Sequence, residues 1–420
     1  MIIRAGYHSR NVQFVRLKLK SVIALISVLT ICTCIDPYSP KLAGYDSLLV
    51  VEGMITNLNS SYTVKLSRTF RDVKVIPAKV SDAKVFITDD AGNSNDLTFS
   101  GNGTYKTDST IFKGTVGRTY VLHIATADGA ISESEPCFMQ SVPDIDSIYF
   151  GKDERIINNG TKIQEGISIY LDSKEGDNSQ YFRWDYEETW KFRIPYPKLY
   201  IYANCQVIYE VPEVKDVYCW KNGRSDAIIT DLIHPGQPER IVKEPVSFIA
   251  TDQSDRLMLE YSILIKQYSI SKNEYDFWDN LKKINATGSD IFASQPYAVI
   301  SNLHNVTNPD EKVLGYFQVS AVKQKRKFIS FNDIAGLQLP FYHSPCVRYE
   351  VACVNPFIDD YCTEFNDIYR IYAISNKLYF IEPLFRDGGI LDKLVFVMPE
   401  CANCQLTGTL KKPDYWIDLI

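Results

Sequence analysis

The sequence predicts a mainly β protein, and three observations carry that reading. From Ser47 onward, short runs alternate apolar and polar residues with a period of two, the signature of half-buried strands. Turn chemistry separates these runs every ten or so residues, and a helical period stands out in one place. At 45% hydrophobic and 13% aromatic, the chain can bury real cores and is not a disordered polymer.

The first segment is of another kind. Arg4, Arg10, Arg16, Lys18 and Lys20 precede any acidic residue, the first of which is Asp36. Then comes SVIALISVLTICT, residues 21–33, apolar and uncharged. A helix that crosses a bilayer needs about 20 apolar residues, so this run is too short. A basic lead and a short apolar core make an export signal. The core runs directly into Cys34, which resembles a bacterial lipoprotein signal: the thiol receives diacylglycerol and the chain is cut just before it. Ile31 fits the aliphatic position three before the cysteine, and Thr33 departs from the usual small residue. Cys32 is the poorer acceptor, because bulky Ile31 would precede the cut. Residues 1–33 are thus expected to be a signal peptide and Cys34 the lipidation site.

Charge then narrows the partners. Five of the 45 basic residues lie in the signal, leaving 40 against 51 acidic ones and a net charge of −11. An acidic chain with no basic stripe argues against nucleic acid. Membrane attachment would come from acyl chains, at about 0.8 kcal/mol per buried methylene.

Residues 34–141 read as a β-sandwich. SYTVKLSRTF alternates Tyr62, Val64 and Leu66 against Thr63, Lys65 and Ser67. DAKVFITDD leads into an Asp90-Ala91-Gly92-Asn93 turn, and Asn102-Gly103 is a strong hairpin signal. RTYVLHIATADG puts Tyr120, Leu122 and Ile124 on one face, with His123 opposite as an ordinary strand residue. Regular strands with no helical period predict an immunoglobulin-like sandwich of about 100 residues.

SVPDIDSIYF, residues 141–150, marks a junction, since Pro143 interrupts strand pairing. Residues 142–420 then form a larger β-rich domain. QYFRWDYEETWKF alternates Phe182, Trp184 and Tyr186 against Arg183, Asp185 and Glu187, and DRLMLEYSILIKQYSIS is another long strand pattern. Between them, Pro195 and Pro197 break the pattern in a tyrosine-rich segment, with Tyr196, Tyr200 and Tyr202 as candidate contact residues. Ser271-Lys272-Asn273-Glu274 is a capping box. Phe277, Leu281 and Ile284 follow at helical spacing with Trp278 beside them, which predicts one helix near 272–285 packed on a sheet. KQKRK, residues 323–327, is read as a solvated strand end rather than a headgroup or partner patch.

No catalytic motif is present: no G-x-S-x-G, H-E-x-x-H, P-loop or dinucleotide fingerprint. Five histidines in the whole chain leave few bases. The cysteines say more. Cys137, Cys205, Cys219, Cys346, Cys353, Cys362, Cys401 and Cys404 follow the anchor, and an even number in an exported chain favours disulfides. Cys205 and Cys219 bracket a short segment whose closure would be worth roughly 3 kcal/mol, so they are expected to pair. Cys401 and Cys404 are expected to bond within the Cys346, Cys353 and Cys362 group. His343, Cys346, Cys401 and Cys404 have zinc-ligand spacing, but thiolates outside the cytoplasm oxidise, and no metal or cofactor is expected.

Several stretches together resemble one family: CIDPYSP, SLLVVEGMIT, VPDIDSI, YSILIKQYSISKNEYDFWDNL, NLHNVTNPDEKVLGYFQVSAV and CANCQLTGTLKKPDYW. They are similar to the Bacteroidota lipoproteins grouped as domain of unknown function 4249. The resemblance implies an outer-membrane lipoprotein, often encoded beside a TonB-dependent transporter, and transfers no catalytic residue. In that phylum O-glycans are added at short Asp-Ser/Thr motifs, which Ser47, Ser109 and Ser147 match. The expected function is a non-catalytic binding or accessory lipoprotein that serves nutrient uptake with a TonB-dependent receptor. The alternative is a cell-envelope hydrolase without a recognisable motif.

Overall fold

The computed structural model describes residues 47–69, 78–157, 160–174, 179–203, 206–210, 217–234, 236, 239–287, 301–352 and 361–419. No helix among them is long and apolar enough to cross a membrane. Cys34, Cys205, Cys353 and the expected signal segment lie outside these residues.

Eight strands open the chain: β1 (Leu49–Ile55), β2 (Thr63–Arg68), β3 (Lys84–Asp89), β4 (Ser94–Phe99), β5 (Thr104–Lys106), β6 (Thr119–Ala125), β7 (Ile131–Ser134) and β8 (Cys137–Phe138). Then follow β9 (Ile145–Ile157), β10 (Lys162–Ser173), β11 (Tyr181–Arg193), the hairpin β12 (Tyr200–Ala203) and β13 (Gln206–Tyr209), β14 (Tyr218–Arg224), β15 (Ile229–Leu232), β16 (Glu244–Ala250) and β17 (Glu260–Ile270). A helix α1 (Lys272–Thr287) precedes β18 (Leu303–Asn305), β19 (Leu314–Val319) and β20 (Val322–Ser330). The C-terminal layer holds α2 (Phe331–Ala335), β21 (Tyr349–Ala352), α3 (Tyr361–Tyr369), β22 (Tyr379–Arg386) and β23 (Ile390–Val397). The protein is mainly β, as the alternation predicts.

Alternation decides which side of the first sheet is buried. Val51 and Ile55, Val64 and Leu66, and Leu122 and Ile124 point into one core, while their neighbours in sequence face outward. The strand order is β18-β7-β6-β3-β4-β5-β2-β1-β19, with β8 beside β6. Its two end strands come from far along the chain. β19 lies parallel to β1, Val50 opposite Leu314 through Ile55 opposite Val319, and β18 lies antiparallel to β7. Asn302 joins the two ends: its amide donates to the Phe317 carbonyl at 2.9 Å and its oxygen accepts from the Phe317 amide at 2.9 Å. Covering the edge of β1 removes a row of unpaired backbone groups. The N-terminal sheet thus takes in residues 303–319 and is not confined to 34–141, and Ser47–Ile420 make one compact unit.

Two further sheets, β16-β10-β9 and β14-β11-β17-β20, share a second core. Ile167, Ile169 and Leu171 of β10 meet Phe182, Trp184 and Trp190 of β11 and Ile263 and Ile265 of β17. Trp184 is fully buried, and its indole N–H donates to Gln267 at 3.0 Å. The basic run 323–327 lies on β20 with its first three residues exposed; Lys323 pairs with Asp144 at 2.9 Å, and the Arg326 guanidinium sits 3.6 Å from the Tyr415 ring centre.

Helix α1 starts where its cap predicts, with the Glu274 amide donating to the Ser271 hydroxyl at 3.1 Å. Phe277 is buried and packs on Tyr316 at 4.8 Å. Leu281 and Ile284 are half-buried.

The disulfide pattern departs from expectation. Cys219 is bonded to Cys404, not to Cys205, and Cys346 is bonded to Cys401. The C-terminal segment crosses β14 where Trp220 bridges Thr409, and this brings the Cys219 and Cys404 Cα atoms within 5.8 Å. Nearness in sequence measures the entropy of closing a loop. It says nothing of which way a strand side chain points, and Cys219 points into the second core. Cys401 therefore bonds within its expected group, and Cys404 does not.

Candidate functional site: an aromatic groove beside the tyrosine hairpin

The tyrosine-rich segment forms a two-stranded hairpin with Tyr200 opposite Tyr209 and Tyr202 opposite Val207. Period-two geometry puts Tyr200, Tyr202, Val207 and Tyr209 on one face. That face packs on the C-terminal layer. Tyr202 is buried among Phe365, Ile368, Phe380 and Phe396, with its ring 5.3 Å from that of Tyr369. Its hydroxyl is buried with no hydrogen-bond partner among the described residues, and burial raises its pKa. Tyr200 is half-buried against Tyr209, ring centres 5.2 Å apart. Tyr196 belongs elsewhere: it packs in a separate cluster with Cys346 and Ile381, and its amide donates to the Cys401 carbonyl at 3.2 Å. The structure joins Tyr200 with Tyr202 and sets Tyr196 on the disulfide knot.

Beside the hairpin lies a groove of 670 Å³, within the usual size range of ligand clefts. Its apolar wall includes Ile201, Tyr369, Ile374, Tyr379, Phe380 and Leu406, and Lys198, Lys377 and Glu400 supply its charge. Ile374 is 66% exposed and Leu406 55%, high values for side chains that a folded protein gains by burying. Helix α3 passes into a π-helical turn over Arg370–Ser375, a rare wide turn that is frequent at functional sites. The two disulfides hold the turn at 401–404 to the 346 loop and to β14, so the Pro399–Leu406 wall is fixed to the central sheet.

Sequence reasoning reached Tyr200 and Tyr202 and missed the other wall. Leu406 stands alone between Gln405 and Thr407, and Ile374 ends the short apolar run Ile371-Tyr372-Ala373-Ile374, which reads as core. The π turn has no signature in composition or spacing.

The zinc-ligand spacing of His343, Cys346, Cys401 and Cys404 does not close on a metal, because all three thiols are spent in disulfides. Cys362 falls on α3. Among the described residues no group of three or more His, Cys, Asp or Glu side chains is placed to hold a metal.

Among the described residues two carboxyl groups, both away from the groove, are raised above their ordinary values. Glu274 is 2% exposed. Burial pushes its pKa up to about 7, against the opposing pull of the Arg183 charge and of hydrogen bonds from Trp278 and Ser320. Glu244 is raised to about 8 by burial and then by the adjoining Asp231 carboxyl, with which it shares a hydrogen bond. Cys137 borders the same small cavity as Glu274, and burial lifts its thiol to about 12.

A mainly β scaffold whose C-terminal layer is tied down by disulfides and carries an aromatic, partly charged groove is the class these features define. The chain belongs to the family described as Domain of unknown function (DUF4249), whose model matches residues 35–326. The match takes in β18 and β19, the strands that close the N-terminal sheet, and ends within β20. No curated protein matches the chain.

Proposed function

We propose that the protein is an exported, lipid-anchored outer-membrane protein of the Bacteroidota type, which serves as a ligand-capturing or accessory partner of a TonB-dependent transporter. The groove at Ile374 and Leu406 is its contact surface. The observation that carries this reading is apolar exposure on a rigid support: two large aliphatic side chains stand in solvent on a layer held by two disulfides. Exposed apolar surface next to aromatic anchors is how protein contacts gain affinity, and a pre-fixed surface loses little entropy on binding. The disulfides fit an oxidising compartment, and the short apolar run that ends at Cys34 fits an acyl anchor. An immunoglobulin-like topology for the N-terminal sheet belongs to the same proposal.

A hydrolase of the glycosidase type needs paired carboxyls facing a substrate cavity. Asp231 and Glu244 make such a pair, yet neither lines the groove or the other apolar cavity, of 210 Å³, so the pair favours a structural role.

Affinity purification of tagged protein from mild detergent tests the reading. A large β-barrel receptor should co-purify, and Ile374→Asp with Leu406→Asp should abolish its recovery while leaving the melting temperature unchanged. Deletion of residues 195–202 is unsuitable, because Tyr202 is a core residue. Cys34→Ser should end incorporation of labelled palmitate and release the protein from membranes. Recovery of the lipoprotein alone, with uptake unchanged in a deletion strain, would overturn the proposal.

A further inference from the structure

A second cavity shares no lining residue with the groove, and no part of the accessory reading uses it. It measures 210 Å³, and its wall includes Leu257, Met258, Phe331, Ile334, Leu339 and Phe341. The 3₁₀ turn Asp255–Leu257 forms one side and α2 another. No acidic or basic side chain lines it.

Two polar side chains do, Thr251 and Tyr342, and of these the buried, unpaired hydroxyl is that of Thr251. Thr251, 6% exposed, contributes to the wall, and its hydroxyl has no hydrogen-bond partner among the described residues. A buried hydroxyl left unpaired costs about 1–3 kcal/mol, and native interiors seldom keep one without a reason. Its neighbours do not relieve it: Asp252 Oδ1, Ser254 Oγ and Arg256 Nε in the same loop are also buried and unpaired. Asp255 does not relieve it either, since that carboxylate accepts from Trp190 at 2.9 Å and from Lys221 at 2.7 Å. At the mouth, Phe341 is 60% exposed and packs against Phe331 at 5.7 Å, an apolar rim open to solvent.

From this geometry we infer that the cavity is a binding site for a small neutral molecule with an apolar ring or branched body and one hydroxyl or carbonyl group, which pairs with Thr251 Oγ1. Neutrality follows from the uncharged wall, since an ion placed there would lose its hydration without a counter-charge. Size follows from volume. A dry cavity of roughly 150 Å³ admits benzene, so this one holds a substituted ring. The polar end is set by the single orphan hydroxyl, which both donates and accepts.

Titration calorimetry on the purified full chain, with p-cresol and toluene as probes, tests the assignment. p-Cresol should bind at one site per chain, several-fold and up to about tenfold more tightly than toluene, the worth of one hydrogen bond. Thr251→Val keeps the shape and removes the hydroxyl, and should bring p-cresol down to the toluene level while toluene is unaffected. Ala335→Trp should fill the cavity and end binding of both probes. Circular dichroism melts check that each variant is folded, and an unfolded Ala335→Trp is replaced by Ile334→Phe with the same expectation. Absence of p-cresol binding to the wild type, or a p-cresol preference that survives Thr251→Val, would overturn the inference.

Discussion

Cys219, a fully buried residue of β14, is disulfide-bonded to Cys404, 185 positions further along the chain. The bond closes a loop that contains about half of the second core, so its effect reaches far beyond the two residues. Because the C-terminal strand crossing at Trp220 and Thr409 places the two cysteines together, the bond locks a contact that packing already favours.

The expected outcome of removing it is a large loss of stability. Replacing both residues by serine should cost about 2–5 kcal/mol, near the upper end because the closed loop is long. Urea unfolding of the wild type and the double variant reads this difference. Peptide mapping without reduction should recover Cys219 linked to Cys404 and Cys346 to Cys401. A Cys205–Cys219 peptide would contradict the fold described above.

The sequence announced these bonds only in part, and the reason is physical. Strand periodicity is a local property, so Tyr120, Leu122 and Ile124, or Val64 and Leu66, could be placed on a buried face from spacing alone. The capping residue Ser271 was legible for the same reason. Partners far apart in sequence are set by topology. Nothing local in Asn302, Gly315 or Phe317 says that residues 303–319 return to close the first sheet, and nothing local in Cys219 points to Cys404. The groove is a product of the same long-range assembly, which is why the hairpin tyrosines were visible and Ile374, Lys377 and Leu406 were not. Tyr202 shows the reverse hazard: an aromatic residue in a loop-like segment reads as a contact residue and serves as core.

Glu274 gives the protein a pH-dependent stability. Its folded pKa of about 7 lies above the ordinary value of 4.5, so between these values the native state holds a proton that the unfolded chain has released. Stability should fall as pH rises through that window, by on the order of 3 kcal/mol in all. Glu274→Gln should flatten the dependence between pH 5 and 7 and raise stability at pH 8. Urea midpoints at several pH values measure it, and an unaltered slope in the variant would assign the dependence to another group.

The titration of Glu244 should depend on its neighbour Asp231. Glu244 is held up to about 8 by burial and by its neighbour, with Lys282 acting against them. Asp231→Asn removes the second cause and leaves the first, so the Glu244 titration should move down without reaching 4.5. Carbon-13 NMR of the side-chain carboxyls follows it directly. A Glu244 pKa unchanged by Asp231→Asn would show that the two groups do not share a proton.

The closure of the first sheet rests on one glycine, and this yields the sharpest test of the architecture. Gly315 sits in β19 opposite Val51 with φ of +97°, a backbone region that side chains with a β carbon avoid. Space is as restrictive as conformation there: a β carbon at 315 would lie 1.9 Å from the Val51 carbonyl oxygen, so the strands would have to separate. Gly315→Ala should therefore break the β1–β19 ladder and destabilise the protein by several kcal/mol, a size reserved for strain at special backbone positions. Ala substitution at Gly92, also at positive φ but with nothing within 4 Å, should cost less, because only the conformational penalty remains. Hydrogen exchange gives the local readout: in Gly315→Ala the amides of β1 and β19 should lose protection before those of β11 and β17, whose ladder is untouched. A fragment of residues 47–141 lacks both closing strands, and its circular dichroism should show no cooperative melt, whereas a fragment extended to residue 326 regains the ladder and should melt cooperatively. A stable, cooperative 47–141 fragment would mean that β18 and β19 decorate the first sheet instead of completing it.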